Sequence, residues 1–191
     1  RLLAYSGIGH SGFILLALPL VASNRPADQM LATSALVYYL VAYVVTSLVT
    51  FGALALLDDA TAGGELAGLR SLWRRRPTLA VLLTLGLLSL AGIPPLAGFW
   101  AKLQVFLVAY RAGAVWLLAI ALAMTIVSLA YYLRVVRIIW SGEPAPSEPV
   151  VIENRQLAAV IIAAALMIML SFAPGMVWGA LEQAVQVTVN R

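Results

Sequence analysis

Between Asp28 and Asp58 no charged side chain interrupts the sequence. At about 1.5 Å of rise per residue, a helix over that stretch outruns the ~30 Å hydrocarbon core of a bilayer. Water is absent at that depth, so a crossing segment must satisfy its own backbone N–H and C=O groups, and a helix does so. Five runs of this kind follow one another: about Leu2 to Val21, Asp28 to Leu57, Pro77 to Ala109, Ala114 to Trp140 and Gln156 to Phe172. The chain is 63% hydrophobic and 10% charged, whereas a soluble domain carries about 25% charged residues. The expected fold is all-α: a polytopic transmembrane helix bundle of about five spans, a single membrane domain over residues 1–191.

The connections fit that reading. "SNRPAD" is a polar turn, and Asp28 is a natural N-cap for the second span. Residues 58–76 form a polar connection in which Leu66, Leu69 and Leu72 recur every third position, the spacing of a short amphipathic helix lying in the interface. Pro77 suits the first turn of the third span, where its missing N–H costs nothing. "SGEPAPSEP" opens a loop over 141–155. The tail after Pro174-Gly175 reads as a short interfacial helix.

The formal charge of +4 comes from arginines at the ends of apolar runs, so topology accounts for it without nucleic acid. If the spans alternate, one side carries Arg1, Arg70, Arg74, Arg75, Arg76, Arg134, Arg137 and Arg155, and the other Arg25, Arg111 and Arg191. The positive-inside rule makes the first side cytoplasmic and puts the C-terminus outside. The Arg74–Arg76 cluster then reads as a topology determinant facing anionic headgroups. The sequence has no cysteine and one histidine, which excludes disulfides, thiolate or iron–sulfur ligation and a protein-built zinc site. "RLLAYSGIGHSGFILLALPLVASN" has the outline of a signal peptide, but His10, its glycines and the spans that follow favour a first transmembrane helix in a chain that begins inside a longer protein.

"AGIPPLAGFWAK", residues 91–102, breaks the third run. Pro94 and Pro95 remove backbone donors and clash with the preceding turn, and the glycines around them, Gly98 included, permit unwound or closely approached backbone. In a bilayer such a break survives where neighbouring helices, side chains or water satisfy the freed carbonyls, and broken helices of this kind build ion sites near the midplane. Lys102 follows within two turns. A lysine deep in a span costs about 2.5–3.5 kcal/mol on the insertion scale, so it faces protein or water, or it snorkels to the headgroups. Beside a hydrated break it is a candidate proton carrier. His10, midway along the first span, is the natural intermediate carrier or else a neutral histidine bonded to a neighbouring helix, and Ser6 and Ser11 are placed to orient it or hold water. Gly7, Gly9 and Gly12 allow close helix packing. Tyr38, Tyr39, Tyr43, Tyr131 and Tyr132 are assigned to packing or interface belts, with contacts to a water chain as the lesser alternative, and Arg134 and Arg137 to snorkelling. No Asp or Glu lies at membrane depth, so any acid paired with Lys102 must come from elsewhere.

"RLLAYSGIGHSGF", followed about ninety residues later by "LSLAGIPPLAGFWAK", resembles the C-terminal part of the antiporter-like subunits, chain N or subunit 2, of bacterial proton-pumping NADH:quinone oxidoreductase (respiratory complex I). Gly7 stands where the family commonly has serine, Gly9 where it has alanine or serine, and Phe13 where it has tyrosine. The resemblance implies the last five or so of fourteen helices in two inverted repeats, with the family's central histidine at His10 and the lysine of the second broken helix at Lys102. It implies a proton-relaying hydrophilic axis, partners among the other membrane-arm subunits and the lipid bilayer, and the bacterial cytoplasmic membrane as location. NADH, FMN, iron–sulfur clusters and quinone are expected on other subunits, with no cofactor on this chain. Sister chains L and M and Mrp-type antiporter subunits share the pattern. The two spans and short tail after Lys102 favour N, since L ends in a long lateral helix. The expected function is proton translocation through His10 and Lys102 (with Ser6, Ser11, Pro94, Pro95 and Gly98 in support), coupled to electron transfer from NADH to quinone. The alternatives are an Mrp-type cation/proton antiporter subunit and a purely structural subunit whose Lys102 only snorkels.

Overall fold

Pro19 divides the first apolar run. Its ring crowds the carbonyl four residues back, and helix α1 (Leu2–Leu15) ends there. The N–H groups of Leu16 and Ala17 reach Phe13 and Ile14 at 3.2 Å each in a tight turn, and α2 (Leu18–Val21) completes the run. This is a computed structural model that describes residues 2–58, 66–142 and 154–172, with Gly175 and Gly179. The expected tail helix and most of the 141–155 loop lie outside the described residues.

Helix α3 (Pro26–Asp58) starts two residues before the expected cap. Proline suits the first helical position, so Asp28 falls inside the first turn, where a carboxylate complements the helix dipole. Ser23 Oγ donates to Asp28 Oδ2 at 3.3 Å, and Gln29 Nε2 donates to the Ser23 carbonyl at 2.6 Å. The polar connection is not one amphipathic helix. Among its described residues, Leu66–Leu69 forms a 3-10 turn and α4 (Leu72–Arg75) a single α-turn, with a left-handed Ser71 between them. Leu69 and Leu72 are buried, but Leu66 is exposed. Three-residue spacing is the period of a 3-10 turn as well as an approximation to the α-helical one, and Ser71 changes the chain's direction before an α-helical face can form. Arg75 Nη2 donates to the carbonyls of Gly68 and Arg70 at 2.6 and 2.9 Å. Trp73 stacks on Trp140 at 6.1 Å and ties the connection to the end of the fourth run.

The broken run is α5 (Pro77–Ala91) and α6 (Ala97–Arg111), two half-helices of 15 residues each. Each is about 22 Å long, too short to cross the hydrocarbon alone. Helices α7 (Val115–Trp140) and α8 (Asn154–Phe172) follow. Leu2–Val21, Pro26–Leu57, Val115–Trp140 and Asn154–Phe172 are long and apolar enough to span; the expected third span is represented by the two shorter half-helices. The architecture is the expected all-α bundle.

Helix α3 is the axis of the bundle and packs on α5, α6 and α8. Tyr38 on α3 is fully buried and its hydroxyl donates to the Leu170 carbonyl of α8 at 3.1 Å. Helix α7 packs on α5 and α6, and α1 rests lightly on α3, α6 and α7. Large apolar side chains stand exposed on the outside, among them Ile8, Trp116, Ile126 and Ile162. A water-soluble fold would bury such faces; here they suit lipid or neighbouring helices.

Candidate functional site

The end of α5 leaves four carbonyls without an intrahelical partner. Gly92 takes the left-handed conformation (φ 84°, ψ 39°), and its N–H reaches the carbonyls of Leu88 and Ser89 at 3.1 and 2.9 Å. The Ile93 N–H also meets Leu88, at 3.1 Å. The carbonyls of Leu90 and Ala91 remain, and Lys102 Nζ donates to both at 3.0 Å. Lys102 is only 4% exposed. Its side chain therefore runs back across the break instead of snorkelling outward, and places a cation at the negative end of a helix dipole. Gly92 leaves room for this: a Cβ there would lie 3.0 Å from Lys102 Cδ.

The loop joining the half-helices passes through a cis Pro94-Pro95 bond. Its far side is pinned by Gly98, whose N–H donates to Ser89 Oγ at 3.2 Å. A side chain at Gly98 would run into the Ser89 carbonyl, so glycine permits this approach. Pro94, Pro95 and Gly98 thus shape the break, and Lys102 closes it.

His10 lies across the bundle, 7% exposed, with Nδ1 2.8 Å from the Tyr39 hydroxyl. Its ring lies 4.7 Å from Tyr43 and edge-on to Phe13 at 6.2 Å. Phe13 also receives Lys102, whose Nζ sits 5.0 Å from the ring centroid, within cation–π range. His10 and Lys102 therefore flank one aromatic ring. Ser6 pairs with the Tyr132 hydroxyl of α7. A cavity of about 340 Å³ between α1, α6 and α7, lined mainly by apolar side chains such as Leu117, Ile120 and Met124 of α7, also reaches Ser6, His10, Phe13, Lys102, Ser128 and Tyr131.

Ser11 does not join this cluster; it is exposed and its hydroxyl bonds back to the Gly7 carbonyl at 3.1 Å. Four polar residues that sequence reasoning did not assign to the site do belong to it: Tyr39, Thr46, Ser89 and Tyr132. Thr46 Oγ1 lies 3.0 Å from Ser89 Oγ, and both residues are buried. A signal for two of them existed. Tyr39, Tyr43, Thr46 and Thr50 recur at steps of four, three and four residues, one helical stripe of hydroxyls on α3. Nothing local marks Tyr132. Among the described residues there is no cluster able to hold a metal ion, and no Asp or Glu lines the cavity.

Residues 1–128 match the family described as NADH:quinone oxidoreductase/Mrp antiporter, TM. The whole chain is 48% identical to NADH-quinone oxidoreductase subunit N 1 of Roseiflexus castenholzii, covering 35% of that protein. It is 41% identical over 184 residues, 96% of the chain, to NADH-quinone oxidoreductase subunit N 2 of Herpetosiphon aurantiacus, covering 33% of it. The chain thus spans about a third of the length of these curated relatives. A chain of respiratory complex I from Thermus thermophilus, solved with bound aureothin, superposes with a TM-score of 0.80 at 36% identity, over 95% of this chain and 39% of that one. A chain of the Mrp complex from Dietzia shares the fold, with a TM-score of 0.72 at 18% identity over 97% of this chain and 47% of that one.

Proposed function

Since the chain belongs to the NADH:quinone oxidoreductase/Mrp antiporter transmembrane family, we propose that it is the C-terminal portion of a proton-translocating membrane subunit of an NADH:quinone oxidoreductase. In this reading His10 and Lys102 relay protons along a buried hydrophilic axis, driven by electron transfer from NADH to quinone on other subunits of the complex. The protein sits in the bacterial cytoplasmic membrane with the Arg74–Arg76 side in the cytoplasm, alongside the other membrane-arm subunits. The observation that carries the reading is the placement of Lys102: an ammonium held inside the bundle by two backbone carbonyls, next to a cavity that also reaches His10.

The chemistry follows from that placement. The ammonium is held by neutral carbonyls, and among the described residues no carboxylate lines the cavity to lock it into an ion pair. In this reading a water that enters the cavity beside Lys102 is the proton acceptor, and His10, tethered at Nδ1 by Tyr39, can pass a proton through its second ring nitrogen. The Lys102→Ala variant of the assembled enzyme is expected to move fewer protons per NADH oxidised in membrane vesicles. Wild-type stoichiometry in that variant would overturn the assignment and leave Lys102 a structural cap.

The Mrp-type antiporter reading has less behind it. The relatives at 48% and 41% identity are oxidoreductase subunits, whereas the likeness to the Mrp chain extends to the fold.

A further inference from the structure

The pair formed by Thr46 on α3 and Ser89 on α5 has no part in the relay just described, yet it sits at the break. Ser89 Oγ meets Thr46 Oγ1 at 3.0 Å and accepts the Gly98 N–H at 3.2 Å, so one buried hydroxyl touches both half-helices and the axial helix. The Gly98 N–H is one of the first-turn donors of α6 that has no intrahelical acceptor. The Ser89 carbonyl belongs to the last turn of α5, and α6 can approach it only because residue 98 lacks a side chain. One turn away on the same two helices, Thr50 Oγ1 donates to the Thr46 carbonyl at 2.9 Å, and its hydroxyl fills the space where Gly86 has no Cβ. The contact is therefore a seam, with Thr46 and Thr50 of α3 laid along Gly86 and Ser89 of α5.

The geometry points to Thr46 and Ser89 as positioning residues for Lys102: their clasp fixes α6 against α5 at the separation that lets Nζ reach the carbonyls of Leu90 and Ala91. Lys102 lies one turn beyond Gly98 on α6, and its acceptors are the two residues after Ser89 on α5. A clasp at Ser89–Gly98 thus holds both the donor's helix and the acceptors' helix at their nearest points. Because α3 also carries Tyr39, the partner of His10, the same rigid helix sets both ends of the proposed relay. An ordinary interhelical hydrogen bond far from the break would add packing and nothing else. This one fixes where the protonated Lys102 side chain rests beside the break, the position from which the proposed relay would start. The inference rests on the relay proposed for Lys102.

The test compares Thr46→Val, Thr46→Ser, Ser89→Ala, the Thr46→Val/Ser89→Ala double variant and Lys102→Ala in the complete complex in membrane vesicles, with NADH:quinone electron transfer measured alongside. The part of proton translocation that Lys102→Ala abolishes is expected to fall about fivefold or more in Thr46→Val and in Ser89→Ala, the effect of about one buried hydrogen bond. Thr46→Ser, which keeps the hydroxyl, should restore it, and the double variant should be no worse than the single ones. Ser89→Ala removes one oxygen and adds no volume, so it gives the answer by itself if Thr46→Val does not assemble. If Lys102→Ala lowers translocation while Ser89→Ala and Thr46→Val do not, the positioning role is wrong and the relay stands. If Thr46→Ser loses as much as Thr46→Val, the hydroxyl is not what matters and the inference falls. If Lys102→Ala itself translocates like wild type, the relay is wrong and the positioning role goes with it.

Discussion

A buried lysine is ordinarily a liability, and Lys102 shows how a liability of this kind becomes stable. Two carbonyls that α5 must leave unbonded and one ammonium that the bilayer penalises satisfy each other at 3.0 Å. Either group alone would cost several kcal/mol at that depth; together they close the hydrogen-bond accounting of the break. The arrangement depends on a residue with no functional group. Gly98→Ala would push a methyl group into the Ser89 carbonyl, and α6 would have to back away from α5. The expected cost is about 1–3 kcal/mol, typical of overpacking a close contact, read as a lower thermal unfolding midpoint of the purified complex. His10 contrasts with Lys102. Its partner is a tyrosine that the sequence alone assigns to packing, and the sequence leaves open whether such a histidine is a carrier or a satisfied core residue. In the structure it has a fixed hydrogen bond to Tyr39 and borders a cavity.

At the level of elements, two prolines do different work. Pro19 interrupts α1–α2 inside a run of membrane length with a tight turn in which the carbonyls of Phe13, Ile14 and Ala17 accept backbone N–H groups. The break at Pro94-Pro95 leaves carbonyls over, and a side chain from the next helix must take them. The difference lies in what surrounds each proline, not in the proline itself. Helix α3 then supplies the frame. Its contact with α5 is close at Gly86, where any side chain would meet Thr50. Gly86→Val should separate the helices and destabilise the chain by about 1–3 kcal/mol, measurable by thermal unfolding, with a loss of the Lys102-dependent proton translocation as the seam opens. The hydroxyl stripe on α3 was legible as a periodicity, but its meaning was not. A stripe of tyrosines and threonines reads equally well as a face toward headgroups, toward water or toward another helix.

Across the whole molecule, the spans and the arginines define a topology that biochemistry can read directly. The chain contains no cysteine, so an introduced cysteine is the one thiol within these 191 residues, and its labelling is read against the unsubstituted protein. Asn24→Cys, at an exposed position in the turn before α3, should react with a membrane-impermeant thiol reagent added from outside the cell. Ser141→Cys, exposed at the end of α7, should react only from the cytoplasmic side. The reverse pattern would invert the positive-inside orientation and reject the cytoplasmic location of the Arg74–Arg76 cluster. The exposed apolar faces of α1 and α7 flank the cavity at His10 and Lys102, so the bundle presents its candidate relay beside a surface suited to further helices. Much of this was accessible before any coordinates. Span lengths, the broken run, His10 and Lys102 all follow from hydrophobic length and from the cost of a charge in lipid, which are properties of short windows of sequence. The direction Lys102 points, the tether on His10, the link between Ser6 and Tyr132 and the Thr46–Ser89 clasp do not follow. Each depends on how far neighbouring helices are rotated about their axes and how closely they approach, and that is settled only when all the helices pack at once. Sequence by itself determined that this chain crosses a membrane and carries a cation at a broken helix. Tertiary packing alone decided that the cation turns inward, because only there does it meet the two carbonyls that nothing else can satisfy.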